Sequence, residues 1–107
     1  MKLKKGGLLK DLEQKINASQ DYLNEYEKQL IGIQNEMEKL NFEYDSTFNN
    51  YNYINNIKFN LEYRDDIMNM MYSLNETRKF VLNNLEKQKT ITKFLMNCYY
   101  YVDKSMY

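Results

Sequence analysis

From Leu9 the chain places Leu12, Ile16, Ser19, Leu23, Tyr26, Leu30, Ile33, Met37, Leu40 and Tyr44 at alternating steps of three and four residues. A stripe with this 3.5-residue period keeps facing one partner along its whole length, as in coiled coils and helical bundles. The five heptads predict a helix over residues 8–44, about 55 Å long at the usual helical rise. Gly32 lies inside this helix but off the stripe, where it costs about 1 kcal/mol relative to alanine. Gly6 and Gly7 read as the helix start, with Asp11 and Glu13 early enough to favour the positive end of the helix dipole.

The run Asp45 to Asn50, DSTFNN, breaks the pattern, because Asp, Ser, Thr and Asn compete for backbone hydrogen bonds and favour turns and caps. A reversal is expected there. Beyond it a second stripe reads Ile54, Ile57, Leu61, Arg64, Met68, Met71, Leu74, Arg78, Val81 and Leu85, which predicts a helix over 48–86. Two successive three-residue steps, from Met68 to Met71 to Leu74, form a stammer that overwinds a coiled coil and predicts a local distortion. A turn around Tyr72 to Glu76 is the alternative, but one Ser and one Asn without Gly or Pro favour continuity.

The stripe lapses again over Glu86 to Thr90, where Thr90 is placed to cap a following helix, so a second reversal is expected there. Ile91, Phe94, Leu95, Cys98, Tyr101 and Val102 then share a face of a third helix over 90–105. The expected fold is all-α: a rod-like antiparallel three-helix bundle with coiled-coil packing, forming a single domain over 1–107.

Composition adds mainly exclusions. Fifteen basic residues balance fifteen acidic ones, so the chain lacks the surplus that draws proteins to nucleic acid or anionic membranes, and neither is an expected partner. No stretch approaches the length of a membrane span, and the apolar run after the first lysines is only Leu8–Leu9, too short for a signal peptide. The glycine pair is followed by no Ser or Thr and preceded by no strand, which argues against a phosphate-binding loop. Asn17 and Asn75 open Asn-X-Ser/Thr tripeptides, read here as chance matches in an asparagine-rich chain. A lone cysteine, Cys98, excludes an internal disulfide and fits a reducing compartment.

Candidate chemistry is equally sparse. The chain contains no histidine, the commonest general base and metal ligand, and Cys98 therefore has no histidine to activate it. Asp65 and Asp66 are adjacent, and adjacent helical residues point about 100° apart, so they read as surface charge rather than a metal site. Met68, Met70 and Met71 read first as core filling, and second as an adaptable binding face. Tyr99, Tyr100 and Tyr101 circle the third helix and cannot all be buried, which leaves an aromatic contact patch. No enzyme, cofactor or metal site is expected, only a helical protein that binds another macromolecule.

Lys5 to Leu12 (KGGLLKDL) resembles the opening of the first helix in the tubulin-binding cofactor A family of tubulin-folding chaperones. Tyr26 to Leu40 is similar to the later part of that helix, and Asn50 to Ile67 resembles the start of the second. Leu74, Val81, Leu85 and Glu86 also fall in register. Several departures accompany the likeness: a first helix about one heptad longer, a small insertion in the first turn, Met68 near the place of a helix-bending proline, and a tyrosine-rich C-terminus. The resemblance implies a cytoplasmic, cytoskeleton-associated chaperone, monomeric or homodimeric, that binds β-tubulin folding intermediates without catalysis. On that reading Lys28, Lys39, Lys58 and Arg64 are candidate contacts to acidic tubulin, and Glu27, Glu38 and Glu62 are the acidic positions of the matching motifs. Surface ion pairing is the alternative role of the acids. The rival function is a structural coiled-coil subunit of a larger cytoplasmic assembly, with its seam paired to another chain.

Overall fold

A computed structural model describes the backbone of residues 5–49 and 57–105 and the side chains of 5–48 and 61–105. These residues form two helices, α1 (Lys5–Asn49) and α2 (Ile57–Lys104). The all-α class holds, but the expected three-helix bundle is overturned, because α2 continues without interruption through the place of the second reversal.

The reasons lie in the two segments read as breaks. In α1 the hydroxyl of Ser46 donates to the Phe42 carbonyl (2.8 Å) and that of Thr47 to the Tyr44 carbonyl (2.7 Å). Both are thus satisfied within the helix, which extends through Asn49 rather than ending at 44. Asn50, the last residue of the expected break, lies outside the described residues, as does Ile54 of the expected second stripe. In α2, Thr90 donates back to the Glu86 carbonyl (3.2 Å) instead of capping a new helix. Ser and Thr interrupt helices by capturing backbone groups; when the captured group lies one turn earlier in the same helix, the helix survives.

The chain divides into two compact units, one formed by residues 1–28 and 82–107 and the other by Gln29–Val81. In the first unit the helices run antiparallel. Lys5 Nζ donates to the Ser105 carbonyl (2.8 Å), Tyr99 bonds to Glu13, and Thr92 meets Ser19, so contact positions rise along α1 as they fall along α2. Lys5 thereby supplies a positive group to the C-terminal end of α2, where the helix dipole is negative. The buried residues here are Leu12 and Leu85, with Ser19 and Thr92.

The second unit pairs its segments in the same sense: Glu43 and Thr47 bond to Tyr63 and Arg64, while the earlier Gln29 and Ile33 share a groove with the later Leu74 and Val81. Leu40, Ile67 and Val81 form its buried apolar core. Ile67, 1% exposed, occupies the seam position assigned above to Met68, which is 55% exposed. With Ile67 in place the seam reads Arg64, Ile67, Met71, Leu74, and the three-four alternation is unbroken. The expected stammer therefore dissolves, and helix α2 also runs through Tyr72 to Glu76.

A glycine in the middle of a helix with open space beside it is a removable cost. Nothing lies within 4 Å of a Cβ built on Gly32. Gly32→Ala is expected to stabilise the chain by about 1 kcal/mol and raise its melting temperature by about 4–8 °C, read by circular dichroism.

Candidate interaction surfaces

Among the described residues no group of three or more His, Cys, Asp or Glu side chains is placed to hold a metal ion, and no helix is long and apolar enough to cross a membrane. Four features of the described residues bear on contacts, two inside the helix pairs and two on their surfaces.

Inside the first unit a polar layer crosses the seam. Gln88 Nε2 donates to Ser19 Oγ, and Ser19 Oγ lies 2.5 Å from Thr92 Oγ1. Thr92 commits its one hydroxyl proton to the Gln88 carbonyl (2.9 Å). Ser19 must then donate to Thr92 while accepting from Gln88, and every hydroxyl in the layer is satisfied. A satisfied layer of this kind contributes little net stability, but a shifted register would leave its members buried without partners. It therefore fixes which residues of α1 face which of α2.

Inside the second unit, Arg64 is 8% exposed. Its Nε donates to Thr47 Oγ1 (2.7 Å), a terminal nitrogen to the Thr47 carbonyl (3.3 Å), and the guanidinium carbon sits 3.6 Å from the centroid of the Phe48 ring. This is a fork clasping the last turns of α1, a geometry that Lys could not reproduce. Arg64, expected to contact a partner, is buried and turned toward Thr47 and Phe48.

The other expected contact residues are dispersed. Glu27 and Lys28 belong to the first unit and are exposed; Glu38, Lys39 and Glu62 belong to the second and are also exposed. Glu38 accepts from Gln34 one turn earlier (3.2 Å), a bond from a neutral amide rather than the ion pair given above as its alternative. Lys58 lies in α2, with its side chain outside the described residues. The surface ion pairs Lys15–Asp11, Lys79–Glu76 and Lys89–Glu86 are all short-range within one helix and exposed, worth a few tenths of a kcal/mol each.

Two tyrosines add hydrogen bonds across the helix pairs. Tyr63 donates to Glu43 and Tyr99 to Glu13, both at 3.0 Å. Each bond raises the phenol above its ordinary 10.0, with desolvation adding to it, because ionisation would set a phenolate against a carboxylate. A raised folded-state value means that the contribution is full below the unfolded value. It is lost only as pH rises through the folded one. Both bonds are intact at neutral pH.

On the surface of the second unit, Gln29, Gly32, Ile33, Glu36, Leu74, Thr77 and Val81 line an open, mostly apolar groove of about 460 Å³. The missing side chain of Gly32 contributes to its depth. On the first unit, Ile91, Phe94 and Tyr101 are exposed, the last two at 66% and 74%, and Cys98 is half-buried among them. These are four of the six residues assigned above to the core face of a third helix. The seam of α2 instead uses Leu85, Gln88, Thr92, Leu95 and Val102, and so leaves Ile91, Phe94, Cys98 and Tyr101 as a second stripe at helical spacing. The tyrosine patch is partly real: Tyr99 is tied to Glu13, while Tyr100 and Tyr101 are exposed and meet edge to face, 5.9 Å between centroids.

Comparison with protein-family models, curated proteins and solved structures finds no match to this chain. The class defined by the fold is thus stated from its geometry alone: a coiled-coil-like protein of two long helices with apolar surface left open.

Proposed function

We propose that this chain is a non-catalytic coiled-coil subunit of a larger cytoplasmic assembly, which docks its exposed apolar stripe against helices of a partner chain. The single observation that carries this reading is the arrangement of α2. One stripe closes on α1 while a second, through Ile91, Phe94, Cys98 and Tyr101, keeps helical spacing and is not covered. Helical stripes of large apolar side chains gain most of their stabilisation by burial, and exposed ones mark contact surfaces.

A photo-crosslinking amino acid at Phe94 or Phe80, both exposed aromatics, is expected to trap adducts of discrete mass in cells. The same group at Asn83, an exposed polar position, is expected to trap none. Equal trapping at Asn83, or no adduct at either aromatic position, would overturn the reading.

The second reading is a tubulin-folding chaperone associated with the cytoskeleton. It is supported by the likeness of Lys5 to Leu12, Tyr26 to Leu40 and Asn50 to Ile67 to tubulin-binding cofactor A, and by the exposure of Lys28 and Lys39. It loses support from the absence of a third helix among the described residues and from the inward turn of Arg64. Tubulin peptides in the crosslinked adducts, together with capture of purified β-tubulin by the immobilised chain, are its expected results; failure of both removes it.

A further inference from the structure

We infer that the C-terminal part of α2 has two registers on α1, an open one that shows the stripe Ile91, Phe94, Cys98 and Tyr101 and a closed one that conceals it. The contact of Ser19 with Thr92 selects between them. The registers are a property of the chain itself; their use in regulating a docking surface rests on the coiled-coil-subunit reading.

The stripe and the seam lie one residue apart. In the first unit the seam runs through Thr92, Leu95, Tyr99 and Val102, and the stripe holds the residue before each of them. Consecutive helical residues point about 100° apart. Gln88 and Ile91 are three residues apart, the length of one 3₁₀ turn. Tightening that single turn keeps Gln88 and everything before it in place and brings the stripe round to face α1.

The face that receives it is apolar except at one point. Leu9, Leu12 and Ile16 of α1 are buried or half-buried on the seam, and Ser19 is its polar member. The closed seam carries no charge from Ile91 to Tyr101. Lys87 precedes the tightened turn and stays outside, and Lys104 comes to the seam's edge, where its long stem keeps the ammonium in water.

Opposing forces hold the two registers against each other. The open register buries Thr92 and leaves Ile91, Phe94 and Tyr101 exposed, so hydrophobic burial favours the closed one. The bond between Ser19 and Thr92 favours the open one, since Ile91 offers Ser19 no partner. Local pattern and tertiary contact thus disagree over this stretch, the condition under which a chain has competing arrangements. A partner that binds the stripe binds the open register alone and draws population from the closed one.

The test is the rate at which Cys98, the one cysteine of the chain, reacts with an aromatic disulfide reagent. Full-length wild type, Ser19→Val, Thr92→Val and the double variant are compared, with helical content followed by circular dichroism. Both single variants break the same contact, from opposite sides. Ser19→Val sets methyl groups against Thr92 and suits Ile91, so Cys98 is expected to turn inward and react about ten-fold more slowly or less. Thr92→Val makes the open seam apolar and is expected to leave the rate at or above that of wild type. The double variant is expected to return to the wild-type rate. Loosening alone would speed the reaction in both single variants. A change in the same direction in both, or an unchanged rate in Ser19→Val, overturns the inference; if Ser19→Val loses its helix, Ser19→Ala is measured in its place with the same expectation. Slow labelling of the serine variant without crosslinks at Phe94 leaves the registers standing and removes their docking role. Crosslinks at Phe94 with unchanged thiol rates remove the registers and leave the coiled-coil-subunit reading.

Discussion

Ile67→Ala is expected to lower the stability of the chain by about 3 kcal/mol and its melting temperature by more than about 10 °C, while Met68→Ala changes stability by less than about 0.5 kcal/mol. Ile67 is the most deeply buried large side chain among the described residues, at 1% exposure, and its neighbour Met68 lies more than half exposed. Truncating the first removes three carbons from a packed seam and leaves a cavity; truncating the second removes atoms that water already reaches. Total stability for a domain of this size is about 5–15 kcal/mol, so the first loss is a large fraction of it. Thermal unfolding of both variants checks the register of α2 directly. Equal losses at 67 and 68, or the larger loss at Met68, would restore the stammered seam.

Arg64→Met removes the clasp over the last turns of α1. The guanidinium makes two hydrogen bonds to Thr47 and stacks on Phe48. A hydrogen bond to a charged group contributes about 1.5–3 kcal/mol and a cation–π contact about 0.5–2 kcal/mol. Part of this is offset, because methionine is easier to desolvate than a guanidinium, and Thr47 keeps its own donation to the Tyr44 carbonyl. The expected net loss is about 2 kcal/mol, measured as a lower urea midpoint at unchanged slope. Arg64→Lys retains the charge without the planar fork and is expected to recover less than half of it. A coupling near about 1 kcal/mol between Arg64→Met and Phe48→Leu in a double-mutant cycle would assign the stacking contribution; a cycle that closes to zero would exclude it. Since Arg64 points inward, any change in partner binding by these variants is expected to follow stability rather than act independently.

The seam of α1 was legible residue by residue. Leu12, Ser19 and Leu40, expected on it, are buried, and the stripe between them keeps its period. Its continuation to Thr47 was not legible, because Thr47 belongs to a residue class that ends helices when its hydroxyl takes a backbone group from outside the helix. Here it takes one from inside. The contact candidates fared similarly. Exposure of Lys28 and Lys39 follows from their distance from the seam. Arg64 was placed on the seam by spacing and on the surface by its charge, and its burial is supported by groups opposite that include the Thr47 hydroxyl and the Phe48 ring.

The larger error concerned α2, and its cause is specific. Gln88 and Thr92 are polar and lie on the seam, while Ile91, Phe94 and Tyr101 are apolar and lie off it. Hydrophobicity therefore traces the wrong face over about the last four turns of α2 and makes one helix look like two. The polar pair is tolerated on the seam because Ser19 supplies the complementary hydroxyl from α1, seventy-three residues from Thr92 in the chain.

The sequence by itself determined that this protein is all-α, that α1 carries a heptad stripe, and that its charge is balanced. These follow from local period and composition, which each segment carries without reference to another. Only the tertiary structure decided the number of helices, the register of α2 and which apolar stripe remains open. Those depend on which residue of one helix satisfies which residue of the other, and that pairing exists only once the chain has folded back on itself.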